Sequence, residues 1–348
     1  MTSATSVLRP GDVVASRFRI VRYLAQGGMG ELYEAEDLEL RERIALKTIL
    51  AHIAANDRSI AMFKREVHLA RQVTHPNVCR IYDIFRHESI VLLAMELLHG
   101  ETLADKLRRE GPFAMAAVLP IVRQMAAGLT AAHRAGVVHR DFKSQNVMLV
   151  PATGGDKGTR AVITDFGLAR RHAQGDSIGL SLSLSEEGTV SGTPAYMAPE
   201  QVEGGTVTPA ADIYALGVVL YEMVTGVWPF TGDTPISVMI KRLREAPPSP
   251  RVHVPELDAA WEAAILRCLE RRPEDRFASA GDVADALLGA SAPAAPSSHV
   301  KESSGATTRA VRSAIREAER RQLTVLVAGS GVFESDAYLA LDAEDQAR

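Results

Sequence analysis

The chain has 348 residues, 46% of them hydrophobic and 24% charged, which supplies a sizeable core and excludes disorder throughout. A net charge of −4 gives no global basic field, so nucleic acid is not an expected partner. The 2 cysteines, Cys79 and Cys268, lie outside any metal-ligand spacing and fit a reducing cytoplasm, and neither a secretory signal pattern nor an apolar run near the ~20 residues of a membrane span is found.

Residues 1–15 are polar and contain Pro10 and Gly11, and they read as a tail. Phe18, Ile20, Tyr23 and Leu24 mark a strand over 17–24, which runs into Ala25, Gln26, Gly27, Gly28, Met29 and Gly30 before a second strand over 31–35. Glycines let backbone N–H groups approach phosphate oxygens, so this turn can cover a nucleotide triphosphate; taken alone it also fits a plain hairpin. No glycine-rich loop ends in Gly, Lys and Ser or Thr, so a P-loop nucleotidase is not supported. The apolar run Ile44, Ala45, Leu46 ends in Lys47, and an isolated lysine there would snorkel to solvent.

Phe63, Val67, Ala70 and Val73 are spaced as the apolar stripe of a helix that also carries Glu66 and breaks at His75, Pro76 and Asn77. Two strands follow over 78–85 and 90–97, the second turning at His99 and Gly100; helical spacing then covers 103–109 and Ile121, Met125, Leu129 and Ala132, ending at Gly136. The stretch His139, Arg140, Asp141, Phe142, Lys143, Ser144, Gln145, Asn146 puts an acid, a base and an amide in one loop after a helix. Ala161, Val162 and Ile163 read as a short buried strand leading to Asp165, with a loop over 151–160 before it. Asn and Asp oxygens are hard ligands suited to Mg²⁺, which would leave Asp141 free as a base. A serine-rich stretch then runs to Gly192, an apolar helix starts at Asp212, and residues 290–308 have the Ala, Pro and Ser content of a linker.

In order and spacing these motifs resemble the protein kinases, and among them the bacterial eukaryotic-like serine/threonine kinases, over residues 16–289. The resemblance implies an α+β, two-lobed protein kinase fold, with a β-rich N-lobe of one main helix at 16–98 and a mostly α-helical C-lobe at 99–289. Residues 309–348 are left as an extension of unknown role; 309–328 look faintly like the start of a class III nucleotide cyclase domain, but Gly329 stands where its metal aspartate would be.

The same resemblance implies that Gly27, Gly28 and Gly30 cover the phosphates of ATP, with Ala25 in place of the first loop glycine. Leu32 and Ala45 would sandwich the adenine, Met95 would sit behind it, and Glu96 and Leu98 would offer it backbone groups. Lys47 would hold the α and β phosphates and pair with Glu66, Asn146 and Asp165 would hold Mg²⁺ or Mn²⁺, Asp141 would be the base, and Lys143 would steady the transferred group. Thr193 would support Asp141, Asp212 would brace the catalytic loop, and Arg276 would pair with Glu200. The implied partners are protein substrates with serine or threonine hydroxyls, and a second copy of the chain for autophosphorylation at Thr189 or Ser191, whose phosphate Arg140 would receive. Readings of another class are a pseudokinase that binds nucleotide as a scaffold, and the kinase part of a larger sensor.

Overall fold

The computed structural model describes residues 7–27, 30–49, 57–88, 90–152, 158–166 and 194–291. Of the expected linker and extension, only 290–291 fall within them, at the end of a helix. Strands β1 (Val13–Val14), β2 (Phe18–Gly27), β3 (Gly30–Asp37), β4 (Glu42–Ile49), β5 (Ile81–His87) and β6 (Ile90–Glu96) form one antiparallel sheet in the order β1-β2-β3-β4-β6-β5. Alternation of side chains along a strand assigns β4 to two cores. Its Ala45 and Ile49 pack with Phe63 and Val67 of helix α1 (Asp57–Gln72), while Ile44 and Leu46 pack with Tyr33 and Leu92 on the other face. Lys47 shares the parity of Ala45 and Ile49, and so lies on the helix side of the sheet.

Residues 7–14 depart from the expected tail. Leu8 and Val14 are only 6% and 0% exposed and close the second core, because Gly11, at φ 94°, turns the chain back so that its N–H reaches Ile20 O. Residues 78–80 also differ from the single strand expected over 78–85. Val78 bridges Ile163 in parallel and Cys79 N donates to Ile163 O at 2.8 Å, which ties this stretch to the second lobe before β5 begins.

The second lobe is helical around a small sheet of β7 (Glu101–Thr102), β8 (Val147–Pro151) and β9 (Thr159–Ile163). Helix α2 (Leu103–Glu110) starts at Thr102, whose Oγ1 accepts from Asp105 N at 3.0 Å. Helix α3 (Met115–Arg134) has the length and hydropathy of a membrane span, yet its Val118, Val122, Met125 and Leu129 are buried in the core of this lobe. Helices α4 (Pro199–Val202), α5 (Pro209–Thr225), α6 (Pro235–Arg244), α7 (Ala259–Cys268) and α8 (Ala280–Ser291) follow.

α5 is apolar around its circumference and buried from Ala211 to Tyr221, as expected of a helix at the centre of a core rather than on its surface. It approaches α7 closely at Gly217, where a Cβ would lie 2.5 Å from Cys268 Cβ. Gly217→Ala should therefore overpack this crossing and cost about 1–3 kcal/mol of stability. Urea melts check this, as a lower midpoint with an unchanged slope.

Candidate active site

The loop between α3 and β8 carries Asp141, and its backbone is fixed by a carboxylate from α5. Asp212, 1% exposed, accepts from His139 N at 2.7 Å, from Arg140 N at 2.8 Å and from the His133 ring at 2.7 Å. The bracing role expected of Asp212 thus has a geometry: both amides turn toward one buried anion. Arg140 adopts a left-handed φ of 66°, a conformation costly for a residue with a Cβ that persists only when the surroundings over-determine it. His139 is fully buried, donates from Nε2 to Thr164 O at 2.9 Å and accepts Asp141 N on Nδ1 at 3.3 Å, so it links the loop to the residue before Asp165. Its ring packs on Phe142 and Phe166.

The functional groups then gather along the cleft side of this loop. Lys143 Nζ donates to Asp141 Oδ2 at 2.8 Å, and Asn146 Nδ2 donates to Asp141 O, also at 2.8 Å. Asp165, at φ 55°, is the other non-glycine residue of the site in the left-handed region. Its Oδ1 accepts from Lys47 Nζ at 2.6 Å, joining β4 to the end of β9. Glu66 of α1 makes a different pair from the one expected: its Oε1 accepts from Arg140 Nη1 at 3.2 Å, and the carboxylate paired with Lys47 is that of Asp165. The expectation of a Lys47 to Glu66 ion pair is corrected accordingly. Each of the two cations is matched to its own carboxylate, Lys47 to Asp165 at 2.6 Å and Arg140, through Nη1, to Glu66 at 3.2 Å.

Of the residues expected around an adenine, Leu32, Ala45, Met95 and Leu98 belong to one apolar cluster, together with Met148 of β8 and Val162 of β9. Met148 was not singled out in the sequence; its only signal is its alternation with Val150 along β8, which lies in the same cluster. Glu96 N donates to Arg80 O at 2.8 Å, so what Glu96 can offer an adenine edge is its carbonyl. Its side chain is held by Arg160 Nη2 at 2.8 Å. The β2–β3 hairpin pairs Gly27 with Gly30, and Gly30 must be glycine: at φ 141° a Cβ would fall 2.0 Å from Thr48 O. Gly28, Thr193, Thr189 and Ser191 lie outside the described residues.

Asn146 and Asp165 fit a hard cation by donor chemistry. Asn146 spends its Nδ2 on Asp141 O, leaving Oδ1 as the acceptor end, and Asp165 contributes a carboxylate that is one-third exposed. Among the described residues no three His, Cys, Asp or Glu side chains converge, which suits Mg²⁺, an ion usually held by one or two carboxylates together with substrate phosphates and water.

Beyond the loop, the residues after the serine-rich stretch are locked in place. Arg242 donates to Pro194 O and Ala195 O, both at 2.6 Å. Glu200 receives a two-pronged, buried ion pair from Arg276, with both distances 2.8 Å, and the remaining guanidinium bonds go to Ala210 O, Glu270 O and Arg271 O. Tyr196 OH donates to Glu222 Oε2 at 2.6 Å, accepts from Trp228 Nε1 at 3.0 Å and lies 2.9 Å from Ser144 Oγ. Burial pushes the Glu222 carboxyl up and holds the Tyr196 hydroxyl well above the usual phenol range.

The protein kinase domain model matches residues 18–287. The serine/threonine-protein kinase pkn3 of Myxococcus xanthus is 36% identical over 273 residues, covering 78% of this chain and 49% of that protein. The probable serine/threonine-protein kinase pknA2 of Bifidobacterium longum is 33% identical over 347 residues, covering 96% of this chain and 44% of that one. The chain thus spans about half the length, or less, of these curated relatives. Among solved structures, the kinase domain of Mycobacterium tuberculosis PknI superposes with a TM-score of 0.64 at 27% identity, over 82% of this chain and 100% of that domain.

The raised Glu222 carboxyl has a thermodynamic signature. A carboxyl that binds its proton more tightly folded than unfolded adds stability that is fully present below the unfolded pKa and lost as pH rises through the folded one. Glu222→Gln keeps an acceptor for Tyr196 without the buried charge. Its stability relative to the unmodified chain should therefore increase from about pH 5 to about pH 8. Urea melts at both pH values check this, and a difference independent of pH would mean that Glu222 carries no buried charge.

Proposed function

Because the chain belongs to the protein kinase family and resembles its bacterial eukaryotic-like serine/threonine members, we propose that it is a non-specific serine/threonine protein kinase that transfers the γ-phosphoryl group of ATP to protein hydroxyls. The observation that carries this reading is the meeting of Asp141, Lys143 and Asn146 in one braced loop opposite the Lys47 and Asp165 pair. Phosphoryl transfer asks little covalent chemistry of a protein, so positioning and charge stabilisation account for most of the rate. Asp141 accepts the acceptor's hydroxyl proton, within hydrogen-bond reach of Lys143, whose ammonium steadies the charge on the moving group. Lys47 supplies the cation for the α and β phosphates, and the backbone of the Gly27 to Gly30 turn covers them. Leu32, Ala45, Met95 and Leu98 form the apolar bed for the adenine, with the Glu96 carbonyl and the Leu98 backbone at its edge. Asn146 and Asp165 hold Mg²⁺, or Mn²⁺ in its place, which when bound neutralises charge on the phosphates. The buried, free thiols Cys79 and Cys268 accord with action in the cytoplasm.

Purified chain supplied with ATP, Mg²⁺ and a generic basic or acidic protein acceptor should transfer phosphate to serine or threonine. Asp141→Asn should lower kcat by ~10²–10⁴-fold, the range of a positioned general base. Asp165→Asn should abolish transfer while nucleotide binding partly survives. Binding of ATP by the unmodified chain without transfer to any acceptor would instead support a nucleotide-binding scaffold.

We further propose control by autophosphorylation at Thr189 or Ser191. Arg140 is already a carboxylate-binding guanidinium, and a phosphate carrying about −1.5 to −2 charges competes with Glu66 for its fork. Mass spectrometry after incubation with ATP should find phosphate at one of these two residues, and a double alanine variant should lose most activity. Full activity in that variant would rule the switch out.

A further inference from the structure

Gln201, in the short helix α4, touches the loop that carries Asp141. Its Oε1 accepts from Ala198 N at 2.9 Å and its Nε2 donates to Arg140 O at 2.8 Å. The first bond is the return half of a helix capping box, in which a Gln or Glu at the third helical position satisfies the N–H of the cap residue. Capping needs only an acceptor, and glutamate would serve it as well. The second bond is not a capping bond, because it reaches a residue 61 positions earlier in the chain.

What it reaches is the peptide that precedes the base. Arg140 sits at φ 66°, its N–H is bound by Asp212 Oδ1 at 2.8 Å, and its carbonyl receives Gln201. The next residue's N–H is bound by His139 Nδ1 and its carbonyl by Asn146 Nδ2. Among these bonds only the one from Gln201 comes from the side of the segment at 194–200, which Arg242 and Arg276 fix to the helical lobe. We propose that Gln201 is a positioning residue for Asp141, setting the tilt of the 140–141 peptide and so the aim of the carboxylate. The chemistry requires a carboxamide, which offers an acceptor to Ala198 N–H and a donor to Arg140 C=O from one planar group. An ionised glutamate turns an acceptor toward the Arg140 carbonyl and cannot make that bond.

This inference rests on the kinase reading, and its test separates the two. Gln201→Glu keeps the capping bond and loses the bond to Arg140, whereas Gln201→Ala loses both. Both variants should lower kcat by ~10–100-fold, the scale of a misplaced catalytic group, with the KM for ATP held within about twofold. Hydrogen exchange of the amides at 139–146 should speed up in both variants while that of α5 stays as it was. A residue that only caps α4 predicts a near-normal kcat and normal loop exchange for Gln201→Glu, and either result overturns the proposal. If the unmodified chain transfers no phosphate, the kinase reading fails, and the exchange measurement still decides whether Gln201 braces the loop.

Discussion

The buried carboxylate of Asp212 is the constraint on which the site depends. It accepts two successive backbone amides of the loop that carries Asp141 and the His133 ring, from the first turn of a largely apolar helix. Two buried N–H groups without an acceptor would each cost about 1–3 kcal/mol, enough to offset the strain of a left-handed Arg140. With the carboxylate in place, the unusual backbone is the best available solution rather than a defect. Asp141, Lys143 and Asn146 follow it on the same braced loop, and α5 is itself held chiefly by apolar packing, with Arg276 and Tyr196 bonded to Ala210 O and Glu222.

Three cationic groups of the site each pair with a carboxylate: Lys47 with Asp165, Arg140 with Glu66 and Lys143 with Asp141. Neither of the first two pairs is the one that family likeness implies. Pairs of this sort, partly shielded from water, are strong enough to define a state and weak enough to be exchanged when a more highly charged phosphate arrives.

The fold was legible because its motifs are dense and ordered. The apolar runs at Ile44 to Leu46 and Ala161 to Ile163 became β4 and β9, and the periodic Phe63, Val67, Ala70 stripe became α1. Asp141, Asn146 and Asp165 were picked out by type and spacing, and the structure bonds Asn146 to Asp141 O and to the N–H of Thr164, the residue before Asp165. What was not legible are partnerships. Sequence order does not say that Arg140 takes Glu66, that Arg160 holds Glu96, or that Tyr196, Glu222 and Trp228 share a buried network, since each is a contact between segments folded together from far apart. The packing of Leu8 and Val14 was hidden for a different reason: two adjacent apolar pairs, Val7–Leu8 and Val13–Val14, separated by polar and turn residues, carry no strand or helix periodicity.

That N-terminal stretch has a mechanical meaning. Val7 N donates to a Glu31 carboxylate oxygen at 2.9 Å, Leu8 N donates to Tyr33 OH at 3.0 Å, and Tyr33 OH is hydrogen-bonded to the same carboxylate. Glu31 directly follows Gly30, the last glycine of the turn, and its own N–H is anchored on Thr48 Oγ1. The strand that leaves the turn is thus tied to Val7 and Leu8 by bonds of 2.9 and 3.0 Å. Residues 7 and 8 and the strand leaving the glycine turn therefore share one hydrogen-bonded group, so a substitution at Glu31 or Tyr33 would loosen both at once.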